Sequence, residues 1–189
     1  MKLAKSLNRL GTETAFSVLA EAKKLEATGK PMIHLGLGQP DFKTPKHVVD
    51  AAKKALDDGH HGYVLSNGIL ECRQAVTRKI KKLYNQDVDP ERVIIMPGGK
   101  PTMHYAIQCF GEPGVEIIHP TPAFPIYESM INYTGSTPVP YDLTKDKDLK
   151  FNAEDILTLI TDKTRLVILI NPNNPTGSFV EKSDIDKLA

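Results

Sequence analysis

Three short stretches gather residues suited to holding a ligand: "PGGKPT" at 97–102, "PTPAFPIY" at 120–127 and "NPNNPTG" at 171–177. The first sets Gly98 and Gly99 just before a helical pattern, where unpaired backbone N–H groups and the helix dipole attract an anion. A phosphate can rest there on Gly99 and Lys100. The stretch matches neither GxGxxG nor GxxxxGK[ST], and Pro101 has no N–H to donate, so a plain glycine turn is the competing reading. In the second stretch prolines fix the backbone and present Phe124 and Tyr127 at a helix start, either as plates for a flat ring or as core aromatics. The third ends the apolar run "RLVILI" in three carboxamides and two prolines, with Asn174 offered as a donor and Asn171 and Asn173 read as structural. Cradle, plate and amide together suit a phosphorylated, planar, oxygen-bearing ring, and pyridoxal phosphate is such a ligand.

These loops meet only if the elements before them are strands ending at one edge of a sheet, where open α/β folds collect ligands. The pattern agrees. "RVIIM", "VEIIHP", a segment near "TPVPYDL" and "RLVILI" read as strands, and they alternate with the helical stretches "TMHYAIQCF", "FPIYESMINY" and one capped by Asn152. Such alternation predicts parallel strands with crossover helices. Upstream, the spacing predicts a helix over 15–27 stopped by Gly29, and a short strand over 32–35. A further helix is opened by Thr44 with Pro45 at its first position. Its residues Val48, Ala51, Ala52, Ala55 and Leu56 recur as one buried face. A basic helix over 69–84 follows. Ser183 with Asp186 opens a last helix, and Ala189 comes about one turn later, so the expectation is the front part of a longer protein.

Composition narrows the function classes. With 189 residues, 40% of them hydrophobic and 25% charged, the chain has the makeup of a globular protein. Its 24 basic and 23 acidic residues leave a net charge of +1, which provides no general attraction for nucleic acid or an anionic membrane. Cys72 and Cys109 form no CxxC pair, and the histidines lack metal-ligand spacing, so no metal site is expected. No stretch approaches membrane-spanning length, and a cytoplasmic location is expected.

The order "GLGQPDF", "GYVLSNGILECRQAV", "MPGGKPT", "PTPAFPIY", "NPNNPTG" resembles the class I and II aminotransferases, the fold type I pyridoxal-phosphate enzymes similar to aspartate aminotransferase. The resemblance implies a three-layer α/β/α fold with a mainly parallel sheet, incomplete at its C-terminus. It divides the chain into an arm and the first part of a small domain over 1–45 and a cofactor-binding large domain over 46–189. It also implies a homodimer that moves an amino group between an L-amino acid, with aspartate a candidate, and a 2-oxo acid. Carried over by residue, Gly38 lies against the substrate carboxylate and Tyr63 reaches the partner's cofactor phosphate. Gly99 and Lys100 hold the phosphate through their backbone, Phe124 covers the pyridine face, and Asn174 bonds the cofactor's phenolic oxygen and lies near the substrate carboxylate. Phe124 departs from the Tyr or Trp of many relatives. No catalytic residue is expected in this chain, because the family's Schiff-base lysine falls beyond Ala189, as do its aspartate to the pyridine nitrogen and its carboxylate-binding arginine. Two rival expectations remain: another fold type I enzyme such as a carbon–sulfur lyase, and a noncatalytic fragment or binding protein.

Overall fold

Residues 2–11 and 14–189 of the chain are described by a computed structural model. Their contacts separate into two units, one made of Met1–Ser17 with Gly99–Ala189 and the other of Val18–Gly98.

The first unit is built on strand β1 (Glu116–Thr121), with β2 (Thr137–Asp142) and β3 (Thr164–Val167) parallel to it on either side. Ile117 and Ile118 point to opposite faces of the sheet, as successive strand residues must, and both are fully buried. On the Ile117 face, helices α4 (Gly99–Phe110) and α5 (Ile126–Thr134) supply Ile107, Met130 and Ile131. On the Ile118 face lie Tyr141, Leu143, Phe151 and Ile156, with α6 (Ala153–Leu157) and Leu188 of α7 (Lys182–Leu188) over them. This unit has the three layers expected of the chain, helices on both faces of a parallel sheet. Burying each isoleucine contributes about 1.5–3 kcal/mol.

Pro138 and Pro140 are tolerated in β2 because it is an edge strand. The Thr137 N–H turns inward to the Val115 carbonyl at 2.8 Å, so the alternate positions 138 and 140 face outward, where no N–H is needed. Asn152 caps α6 as expected, its Oδ1 accepting from the Glu154 N–H at 3.0 Å. The N-terminal segment is pinned to the end of α5, where Arg9 donates to the carbonyls of Asn132 (2.8 Å) and Tyr133 (2.7 Å). β3 is shorter than the run "RLVILI". One further bond, from the Ile168 N–H to the Ile118 carbonyl, extends the pairing past Val167.

The second unit contains α1 (Thr14–Ala27) from Val18 on, α2 (Lys46–Asp57) and α3 (Leu70–Tyr84). Gly29 stops α1 in a left-handed conformation, φ +86°. Three expectations fail here. Residues 32–35 and "RVIIM" pair with no strand; the second run makes one backbone bond, from the Ile95 N–H to the Asn67 carbonyl at 3.1 Å, and a single bond does not make a ladder. Pro45 occupies the N-cap of α2 rather than its first helical position, and no side chain caps the helix, so Thr44 is not its cap. The apolar face of α2 is not buried: Val48 and Leu56 are exposed, and the helix has no buried residue. The firmest anchor of this unit is Arg73, 2% exposed. Its guanidinium donates to the carbonyls of Gly68 and Pro90 and to the Glu91 carboxylate.

Candidate active site

In the first unit three loops converge at one end of the sheet. α4 begins at Gly99, so the positive end of the dipole of this 12-residue helix lies at Gly99 and Lys100. The conformational demand falls one residue earlier, on Gly98 at φ +99°; a Cβ on Gly99 would make only ordinary contact, 3.7 Å from Met103 Cε. The Lys100 side chain runs over two rings, its Nζ 5.3 Å from the centroid of Phe16 and 5.4 Å from that of Phe124. Phe124 is half-buried just ahead of α5, and the Tyr127 N–H donates to its carbonyl at 3.3 Å. Tyr127 itself packs against the core with Ile131, and burial raises its phenol above the usual value. Of these two aromatics, then, Phe124 lies in the loop under the cation, and Tyr127, in the first turn of α5, is partly buried against the core.

Beyond β3 the three asparagines divide their tasks. Asn171 Oδ1 accepts from the Val180 N–H at 3.2 Å. Asn173 is 7% exposed, and its Nδ2 donates to Thr176 Oγ1 at 2.8 Å and to the Pro122 carbonyl at 3.4 Å. Asn174 projects an exposed carboxamide that makes no hydrogen bond among the described residues. The structural reading of Asn171 and Asn173 holds. The Asn173–Pro122 bond also joins the loop of Asn174 to the loop of Phe124, a link between residues 51 apart that no local pattern announces.

Gly38 and Tyr63 belong to the second unit. Gly38 is exposed, with no atom within 4 Å of an added Cβ, which leaves its backbone open to a ligand. Tyr63 is fully exposed. Its loop is fastened at Gly68, where the carbonyl accepts from Arg73 and an added Cβ would stand 2.8 Å from Ile95 Cγ1, so only glycine fits.

His119, within β1, is 4% exposed, and its Nδ1 lies 3.1 Å from the Pro120 carbonyl. Burial lowers its pKa below the ordinary 6.5, against smaller upward effects of that hydrogen bond and of Glu128. Among the described residues no group of His, Cys, Asp or Glu is disposed to hold a metal ion, and no helix is long and apolar enough to cross a membrane.

The donor set suits pyridoxal phosphate. A helix N-terminus meets a phosphate, a half-buried phenyl ring meets a flat heterocycle, and an exposed carboxamide meets a ring oxygen. Every lysine of the chain is solvent-exposed.

The family model for aminotransferase class I and II matches residues 30–189. An aspartate aminotransferase of Bacillus subtilis is 32% identical over 188 residues, 100% of this chain and 48% of that protein. The structure of an aspartate aminotransferase from Thermus thermophilus with maleate superposes with a TM-score of 0.93 at 30% identity, over 100% of this chain and 49% of that one. An alanine aminotransferase from Pyrococcus furiosus gives a TM-score of 0.92 at 30% identity, over 99% and 48%. The chain therefore spans about half the length of the relatives it matches.

Proposed function

The chain belongs to the class I and II aminotransferases, and from that premise we propose that the whole protein transfers an amino group between an L-amino acid and a 2-oxo acid, with aspartate the foremost amino donor. It does so as a cytoplasmic homodimer holding pyridoxal phosphate. The observation that carries this reading is the meeting of the α4 N-terminus, Phe124 and the Asn174 loop at one end of the sheet.

The first-turn N–H groups at Gly99 and Lys100 hold the phosphate. Pro101 can give none, so the two residues before it carry that load. Phe124 supports one face of the ring, a role for which a phenyl without a polar handle suffices. The Lys100 ammonium lies over the Phe124 ring. Asn174 donates to the phenolic oxygen and stabilises its negative charge, which keeps the ring's proton affinity low. When bound, pyridoxal phosphate supplies an electron-withdrawing ring that stores the pair left by removal of the substrate's α-proton. Gly38 lets the substrate carboxylate approach the backbone, and Tyr63 reaches the phosphate held by the partner subunit. Covalent capture needs a desolvated amine, and the exposed lysines here do not provide one, so we assign that amine to a segment outside this chain.

The test is label transfer. Given nitrogen-15 aspartate and 2-oxoglutarate, the whole protein with pyridoxal phosphate should deliver the label to glutamate, read by mass spectrometry. Label released as ammonia, together with thiol release from a thioether amino acid, would replace transfer by lyase chemistry.

A further inference from the structure

The carboxamide of Asn173 does more than close its own turn. The turn is already closed by backbone bonds, since the Asn173 N–H donates to the Ser178 carbonyl and the Gly177 N–H to the Asn173 carbonyl, both at 2.8 Å. Its side chain spends one donor on Thr176 Oγ1, which also meets Ser178 Oγ at 2.7 Å, and another on the Pro122 carbonyl. A carbonyl only accepts, so Nδ2 must face Pro122 and the orientation of the amide is settled. Oδ1 is then left buried and without a partner among the described residues. An unpaired buried acceptor costs stability, and an apolar side chain would avoid that cost. What the amide achieves that an apolar residue does not is the bond to Pro122, two positions before Phe124 and reached from the residue next to Asn174.

We infer that Asn173 is a positioning residue for the cofactor site: through Nδ2 it sets the carboxamide of Asn174 in register with the ring of Phe124. The inference rests on the proposed reading of Asn174 and Phe124 as cofactor contacts. Asn173 touches no ligand in this scheme. Removing its donor lets the loop beyond β3 slide against the loop beyond β1, so the Asn174 hydrogen bond loses its aim.

The experiment uses the whole protein with pyridoxal phosphate as probe, and reads cofactor affinity by equilibrium dialysis and the pH midpoint of the bound cofactor's absorbance. Asn173→Ala should raise the dissociation constant about tenfold, corresponding to loss of one well-aimed hydrogen bond. It should also move the pH midpoint upward, in the direction that Asn174→Ala moves it. Asn173→Asp keeps the shape and lacks the donor; it should match Asn173→Ala and serves if the alanine variant does not fold. In the Asn174→Ala background, adding Asn173→Ala should cost less than about a further twofold, because the two act in series. Ser136→Ala, which removes the bond from Ser136 Oγ to the Glu112 carbonyl before β2, should lower the melting temperature and leave the midpoint in place. If Asn173 variants lose melting temperature alone, or if their losses multiply with that of Asn174→Ala, Asn173 is merely structural and the inference is overturned while the cofactor reading stands. A wild type that takes up no cofactor overturns that reading and the inference with it.

Discussion

The unit formed around Gly99–Ala189 and the unit Val18–Gly98 carry similar local signals and treat them differently. In the first, β-branched runs become paired strands, and Ile117 and Ile118 are completely buried. In the second, the comparable run over 32–35 stays unpaired, with Ile33 87% and Leu35 90% exposed. The helices of both units form as expected. The difference lies in where each backbone finds its partners: a helix satisfies its own N–H and C=O groups, while a strand borrows a neighbour's. Of the proposed cofactor and substrate contacts, Gly99, Lys100, Phe124 and Asn174 belong to the first unit, and Gly38 and Tyr63 to the second.

The largest expected effect contrasts the two cores. Ile118→Ala should destabilise by about 2–5 kcal/mol, because it empties a fully buried position between β1 and the α6 layer. Val48→Ala, on the exposed face of α2, should cost about 0.5 kcal/mol or less. Urea denaturation of both variants measures the ratio. Equal losses would break the comparison, since they would mean that the α2 face is as well covered as the sheet.

The second effect sharpens it. The second unit depends on a buried cation that collects backbone carbonyls, so Arg73→Gln should cost about 1–3 kcal/mol by leaving the Gly68 carbonyl unpaired and the Pro90 carbonyl with only the Val93 N–H. Glu91→Gln should cost far less, because its carboxylate is 68% exposed and the ion pair is screened. If the two variants unfold at the same urea concentration, the ion pair rather than carbonyl capture holds this unit.

The parts legible in the sequence are those decided within a few residues. Asn152 as a cap, Gly29 as a stop and the α4–β1–α5–β2 succession follow from spacing and turn chemistry, and all appear in the fold. The overturned elements depend on a remote partner. "RVIIM" has the composition of a strand and no ladder, and the stripe of α2 has the period of a buried face and nothing over it. The strand-end rule applies to the loops after β1 and β3, which meet through the Asn173–Pro122 bond, and not to "PGGKPT", whose preceding run is no strand. The division of labour among the asparagines of "NPNNPTG" became visible only once Pro122, 51 residues away in sequence, was placed beside Asn173. The cation over the Phe124 ring had no local signal at all.

The smallest effect concerns a proton and again separates buried from exposed. His119 is enclosed within β1, whereas His60 and His61 lie exposed in the second unit. Burial depresses the His119 pKa, partly offset by the Pro120 carbonyl and by Glu128, so the folded state binds its proton less readily than the unfolded chain does. At a pH between the depressed folded value and the ordinary 6.5, the unfolded chain carries the extra proton, and stability must rise with pH there. The contribution is fully present above 6.5, declines as pH falls through that value, and levels off once the folded state is protonated too. His119→Phe keeps a ring in the same space and removes the proton site. The melting temperature of the wild type minus that of this variant should therefore be constant at alkaline pH and drop between about pH 7 and pH 5. A flat difference across that interval would mean that His119 is hydrated enough to charge in place, and the packing around β1 would be no tighter than that of the exposed loop at His60.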